Sequence, residues 1–248
     1  MKTIVVFGAA SAIAQASARL WAEEKPRFVL IDRSVDRLKI VAEDLRTRGA
    51  TDVKTITTDL SLLEKHEDIV QQIHTTPVAI YLVAYGTLGN QKAGEKDFAV
   101  ARQELTTNFI SVASLLTEII NDLSIKKATS PTTIAVISSV AGDRGRQSNY
   151  IYGTAKAALT SWLSGLRNRL VKEHPHIHIV TIKPGQVDTP MTADFKKGLL
   201  WAKPEDVARD IVHAIHKKRD VTYTPWFWRY IMLIIKLIPE RIFKRLTL

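Results

Sequence analysis

The 248-residue chain contains no cysteine. That absence excludes a disulfide framework, a thiolate nucleophile and a cysteine-based metal site, and it fits a reducing compartment. No apolar run reaches the roughly eighteen residues of a membrane span, so no transmembrane helix is expected. The opening Thr3-Ile4-Val5-Val6-Phe7-Gly8 is too short in its apolar part for a secretory signal and reads as a first buried strand. Linkers, repeats and low-complexity blocks are missing as well. Nothing in the chain has the pattern of a nucleic-acid recognition helix, so no nucleic-acid partner is expected. The cluster Glu173-His174-Pro175-His176-Ile177-His178 has no cysteine or acidic group converging on it in sequence, which argues against a metal site. His66, His74, His213 and His216 fall in helical patterns and are expected to face solvent. Ser138 and Ser139 lack a neighbouring histidine and a Gly-x-Ser-x-Gly turn, so a hydrolase triad is unsupported.

What is present is a globular composition, 46% hydrophobic and 24% charged, with a formal net charge of +10. A chain of this length can bury one substantial core. Short Val/Ile-rich runs at 3–7, 28–31, 53–58, 78–84, 132–138 and 177–183 alternate with helical patterns at 12–24, 34–48, 61–74, 97–123 and 150–173. Continuous apolar strands separated by helices predict a single α/β domain, a doubly wound parallel sheet with helices on both faces. The domain is expected to span 1–224. A substrate lid is expected at about 190–220, with Pro204 starting a helix to about His216, and an amphipathic helical tail at 225–248.

Gly8-Ala9-Ala10-Ser11-Ala12-Ile13-Ala14 joins the first strand to the first helix. Glycine permits the tight turn, small residues admit a pyrophosphate, and the helix start offers free N–H groups. Gly8, Ser11, Ala12 and Ile13 are therefore nucleotide candidates, although the segment also reads as an ordinary small-residue helix start. Asp32 ends the second strand, where a carboxylate bonds the ribose hydroxyls of NAD; Arg33 follows it, where a guanidinium suits the 2′-phosphate of NADP. Repulsion between Asp32 and a phosphate leans toward NAD, and the choice stays open. Asp59-Leu60 can contact adenine, or Asp59 can cap a helix.

Tyr152 and Lys156 stand at i, i+4, one face of a helix, thirteen residues after Ser139. A nearby ammonium favours phenolate, lowering a pKa that starts at about 10 toward general acid/base use. The Ser139 hydroxyl can hydrogen-bond a carbonyl or alcohol beside that phenol. A surface helix pair is the alternative.

Together the Gly8 turn, Asp59, Gly86, Asn108, Ile137-Ser138-Ser139, Tyr152 with Lys156, and Pro184-Gly185-Gln186-Val187-Asp188-Thr189-Pro190-Met191 make the chain resemble the short-chain dehydrogenase/reductase family over nearly its full length. The resemblance implies a Rossmann fold and NAD(P)-dependent alcohol–ketone chemistry. It implies that Tyr152 is the acid/base, Ser139 orients the carbonyl, Lys156 bonds the nicotinamide ribose and Asn108 holds a relay water. Pro184, Gly185, Val187 and Thr189 would receive the nicotinamide, and Ala84 and Gly86 would line the adenosine side. It also implies a homo-oligomer. The chain departs from the family at Ala12 and Ala14, where glycines are usual, and at Val83-Ala84-Tyr85-Gly86, where Asn-Asn-Ala-Gly is usual.

Residues 226–238 mix Trp226, Phe227, Trp228, Tyr230 and aliphatic residues with Arg229 and Lys236; Arg241, Lys244 and Arg245 follow Pro239. Residues 221–248 carry a net +4. Aromatics beside cations suit a membrane surface, and packing against another subunit is the competing reading. With Gly8–Ala14 and Ala84–Gly89, the ending Tyr223–Met232 resembles the bacterial decaprenylphosphoryl-2-keto-pentose reductases. This narrower resemblance implies reduction of a keto-sugar on a polyprenyl phosphate in cell-wall synthesis, with a partner oxidase and a place in the cytoplasm or at the inner face of the cell membrane. Arg144 and Arg146, between Ser139 and Tyr152, are candidates for the substrate phosphate. The alternatives are a soluble reductase of a steroid or small ketone, and a nucleotide-bound scaffold without catalysis.

Overall fold

The computed structural model describes residues 2–73 and 77–247, so His74 lies outside the described residues. In chain order the elements are β1 (Thr3–Phe7), α1 (Ala12–Ala22), β2 (Arg27–Asp32), α2 (Val35–Thr47), β3 (Asp52–Thr57), α3 (His66–Ile73), β4 (Ile80–Val83), α4 (Gln91–Gly94), α5 (Phe98–Leu105), α6 (Ser111–Ile125), β5 (Thr132–Ile137), α7 (Tyr150–Glu173), β6 (Ile177–Pro184), α8 (Pro204–His216), β7 (Val221–Thr224), α9 (Trp228–Leu237) and α10 (Glu240–Phe243). The strands form one sheet in the order β3-β2-β1-β4-β5-β6-β7. Every pairing is parallel. The doubly wound Rossmann architecture expected from the sequence is present, with β7 as a seventh strand that the apolar runs did not announce.

Alternating side chains divide the core in two. Ile4 and Val6 of β1 join one layer with Ala14, Ala18 and Trp21 of α1, Leu38 and Leu45 of α2, and Val207 and Ile211 of α8. Val5 and Phe7 join the other with Ile69 of α3, Leu115 and Ile119 of α6, and Leu159 and Leu163 of α7. A strand covered on both faces must be apolar at successive positions, which is why the runs were legible. Because α8 belongs to the first layer, it supports the sheet, and of the segment 190–220 only the part before Pro204 lies outside that packing.

The chain winds outward from β1 through β2 to β3, then resumes at β4 on the other side of β1. Loops leaving β1 and β4 therefore diverge, and the crevice between them is where doubly wound sheets bind ligands. Gly8 turns there at φ 77°, and a Cβ would lie 2.7 Å from the Tyr85 backbone. Only glycine meets both demands.

Helical runs read as continuous prove segmented. Residues 61–74 split into a 3₁₀ turn, Leu63–Lys65, and α3. Between α5 and α6 lies a π-helical turn, Thr106–Ile110, which carries the buried Asn108; such insertions recur at functional sites. His66 is fully buried, not solvent-facing. Its Nε2 lies 3.0 Å from the Leu60 carbonyl and its Nδ1 2.9 Å from Ser114 Oγ, with burial pushing its pKa down. Ser111 Oγ also donates to that carbonyl, so two side chains hold the loop bearing Asp59 and Leu60. His213 and His216 are exposed, as expected.

At the far edge, Lys183 of β6 pairs with Asp143 in the loop after β5, and Tyr223 of β7 donates to the same carboxylate at 2.8 Å. Burial, then the Asp143 carboxylate, push the Tyr223 pKa up. Lys183 and Asp143 side chains are only 7% and 3% exposed, so neither charge has water as an alternative partner. Asp143→Ala strands the ammonium and is expected to lower unfolding free energy by about 3–5 kcal/mol; urea denaturation measures it, and a loss below about 1 kcal/mol contradicts the account.

Candidate active site

Every residue singled out above for catalysis or cofactor binding lines one cleft of about 870 Å3 over the carboxyl ends of β1, β2, β4, β5 and β6. Its nucleotide end is built by the Gly8 turn and α1. Ser11 caps α1, its Oγ accepting from Ala14 N at 3.3 Å. Asp32 accepts from Ala10 N at 3.1 Å and from Ser34 N at 3.2 Å, so its carboxylate braces the loops on either side. Arg37, in the first turn of α2, donates to the Ala10 carbonyl at 2.6 Å and also lines the cleft. Its place four residues after Arg33 carried no signal of this, because Arg33 lies before the helix. The wall thus holds one carboxylate and two guanidiniums. Asp59 is held below the usual carboxylate range by the Ser61 backbone N–H, with Arg33 adding to the effect.

At the other end, α7 packs along the end of β5. Ser138 Oγ donates to the Lys156 carbonyl at 3.1 Å and lies 2.8 Å from Thr160 Oγ1, which spends the first serine on the seam. Ser139 caps the following turn, accepting from Ala141 N at 3.1 Å, and its hydroxyl bonds the Tyr152 phenol. Lys156 Nζ lies 5.6 Å from the centre of the Tyr152 ring and donates to the Ile137 carbonyl at 3.1 Å. The surface-pair alternative falls: Lys156 is 3% exposed.

One expectation is corrected. Tyr152 is not lowered in the free protein; burial pushes it up to about 12, Ser139 opposes the rise, and the Glu104 carboxylate adds to it. Burial also takes Lys156 down to about 8, against the pull of Glu104. Desolvation outweighs the pairwise attraction on which the sequence reading relied.

Glu104 was not recognised from sequence, although it stands one turn before Asn108. Its carboxyl accepts from Asn108 Nδ2 at 2.7 Å and from Thr87 Oγ1 at 2.6 Å. Asn108 Nδ2 also reaches the Thr87 carbonyl at 3.0 Å, and its Oδ1 accepts from Thr87 N at 3.3 Å.

Arg144 is not a substrate ligand. It caps the end of α9, donating to the carbonyls of Ile235 at 2.5 Å and Ile238 at 2.6 Å, pairing with Glu240 at 2.9 Å and stacking on Phe243 at 3.6 Å. Arg146 does line the cleft; its Nε is buried without a partner, and burial lowers its pKa. Trp228, assigned by sequence to the tail, forms cleft wall instead. It is 5% exposed, packs with Met232 on Val140, and lies so close to Gly185 that a Cβ there would be 1.9 Å from its Nε1. Asp188 N donates to the Ala202 carbonyl and Ala202 N to the Gln186 carbonyl, each bond 2.9 Å, which ties the two ends of the intervening segment, and Met191, Phe195 and Trp201 line the mouth. Among the described residues no group of His, Cys, Asp or Glu side chains is arranged to hold a metal.

Residues 2–199 match the model of the family described as short chain dehydrogenase. An uncharacterized oxidoreductase of Mycobacterium tuberculosis is 31% identical over 245 residues, covering 98% of this chain and 96% of that protein. Another, of Streptomyces coelicolor, is 27% identical over 250 residues, covering 99% and 96%. Among solved structures, a short-chain dehydrogenase from Sphingobium yanoikuyae in complex with NADPH superimposes with a TM-score of 0.81 at 19% identity, covering 97% of each chain. A 3-oxoacyl-[acyl-carrier protein] reductase from Brucella melitensis in complex with NAD gives 0.76 at 20% identity, covering 90% of this chain and 94% of that one.

Gly185→Ala drives a methyl into the Trp228 indole and is expected to destabilise by about 1–3 kcal/mol. The same change in a Trp228→Ala background is expected to cost less than half as much; thermal melts of the four proteins measure the coupling, and additive costs would contradict the contact.

Proposed function

Because the chain belongs to the short chain dehydrogenase family, we propose that this NAD(P)-dependent oxidoreductase works as a reductase, and that its ketone is a keto-sugar carried on a polyprenyl phosphate. The observation that carries the catalytic reading is the convergence of Ser139, Tyr152, Lys156 and Asn108 on one cleft whose opposite end is the Gly8 turn.

The residues fit a dinucleotide. Gly8 and the small residues after it leave backbone N–H groups of α1 open to a pyrophosphate. Asp32 suits the ribose of NAD, while Arg33 and Arg37 suit the phosphate of NADP. When bound, the nicotinamide supplies the hydride. Tyr152, protonated at rest, gives its phenolic proton to the carbonyl oxygen as that oxygen gains charge. Ser139 donates to the same oxygen and sets the carbonyl beside the phenol. Lys156, anchored on the Ile137 carbonyl, stabilises the phenolate that remains. Asn108 Oδ1 borders the same small space beside Gly86 as Lys156 Nζ, where it would hold a relay water.

Three features support a lipid-carried sugar phosphate. Arg146 offers a desolvated guanidinium with an unused Nε donor, suited to a phosphate. The mouth is apolar at Met191, Phe195 and Trp201. Beside it, α9 buries Trp228 and Met232 but exposes Tyr230, Leu233, Ile234 and Leu237, the last at 73%. Arg229, Lys236, Arg241, Lys244 and Arg245 accompany this apolar face, a composition suited to lying on an anionic lipid surface. No helix among the described residues is long and apolar enough to cross a membrane.

Oxidation of NADH and NADPH, assayed against a lipid-linked keto-pentose and a panel of soluble ketones, tests the substrate. Preference for a steroid or small ketone would overturn the sugar reading. Tyr152→Phe is expected to reduce turnover by about 10²–10⁴-fold while cofactor binding persists; undiminished turnover defeats the mechanism. Replacing Leu233, Ile234 and Leu237 together by serine is expected to abolish co-sedimentation with anionic liposomes and leave the fold intact. Deleting the tail is the poorer test, since it also removes Trp228 from the cleft.

A further inference from the structure

Glu104 is 6% exposed, sits on α5 at the floor of the cleft, and has no part in the mechanism just described. A buried carboxylate needs compensation. Here Thr87 Oγ1 donates to Oε2 at 2.6 Å and Asn108 Nδ2 to Oε1 at 2.7 Å. The loop above encloses it: a Cβ on Gly89 would be 2.6 Å from Oε2. On the neighbouring side, a Cβ on Gly86 would be 2.5 Å from Asn108 Oδ1 and 3.6 Å from Lys156 Nζ, so the amide and the ammonium border one small space.

Among the described residues, the ionisable groups whose charge is coupled to Glu104 are Lys156 and Tyr152 of α7, which line the same cleft. Its contacts from the 87–89 loop and the π turn are the neutral Thr87 and Asn108, while Lys92 of α4 is engaged by Glu95 at 3.1 Å. We propose that Glu104 is a positioning residue of the active site, which aims the Asn108 amide and serves as the buried counter-charge of the Lys156 ammonium.

The consequence is a defined resting charge. Burial works against the ammonium and pushes the Glu104 pKa up, while each charge works for the other. The same carboxylate disfavours phenolate at Tyr152. An ammonium at Lys156 and a protonated phenol at Tyr152 are the states from which a reduction begins, so one anion favours both. Its two hydrogen-bonded neighbours, Thr87 and Asn108, fix its position, and its burial strengthens its reach. This inference rests on the catalytic reading of Tyr152 and Lys156, yet its test needs no substrate.

The full chain is labelled with [ε-¹³C]lysine, the Lys156 resonance is assigned by its loss in Lys156→Arg, and its titration is followed by NMR in the parent and in Glu104→Gln. Glutamine keeps an oxygen for Asn108 and removes the charge, while its NH2 turns the Thr87 hydroxyl from donor to acceptor. The Lys156 midpoint is expected to fall by at least half a pH unit, because removing an anion favours the neutral amine. An unchanged midpoint overturns the proposal, since a purely structural carboxyl would leave it in place. Should Glu104→Gln fail to fold, the reciprocal measurement decides: with [δ-¹³C]glutamate, the Glu104 midpoint is expected to rise by at least half a unit in Lys156→Met, and no movement there overturns it equally. Persistent turnover in Tyr152→Phe would defeat the catalytic reading without altering either titration.

Discussion

The seam between α7 and the carboxyl end of β5 is the constraint from which the cleft takes its form. Ser138 ties the Lys156 carbonyl and Thr160, and Lys156 returns a bond to Ile137. These reciprocal contacts set the axial position of α7, and so decide where Tyr152 stands relative to Ser139. They also bury an ammonium and a phenol together, at a cost in desolvation that shows in both groups. The site is organised by its floor more than by its mouth.

Much of this was legible in the chain. Strands covered on both faces must be continuously apolar, and that made β1, β2, β4, β5 and β6 readable from Val and Ile runs. The edge strand β7 escaped because Val-Thr-Tyr-Thr is short and has only one neighbour, β6. The resemblance to the family grouped Ser139, Tyr152, Lys156 and Asn108, and all four line one cleft. What sequence could not convey was environment. Glu104 and His66 occupy helical positions where a polar residue ordinarily meets water, and only the packing of α5 and α3 reveals them as buried. The pKa of Tyr152 was misjudged for the same reason: proximity of a cation is visible at i, i+4, whereas loss of water is not.

The arginines of the loop after β5 show how far a short interval can separate roles. Arg144 turns away from the cleft to the part-buried carbonyls at the end of α9, where a cation also complements the helix dipole. Arg146 turns inward to the cleft. Between them the loop joins the C-terminal helix to the reaction site, while Lys183, Asp143 and Tyr223 fasten its base to β6 and β7. The basic excess is therefore partly structural.

The contact of Trp228 with Gly185 carries a consequence for sequence variation. Two positions far apart in the chain share one volume, so a bulkier residue at 185 is tolerable only where 228 has become smaller. Among relatives that keep this helix, the two positions should change together, and a lineage that lost the helix would be free to fill position 185.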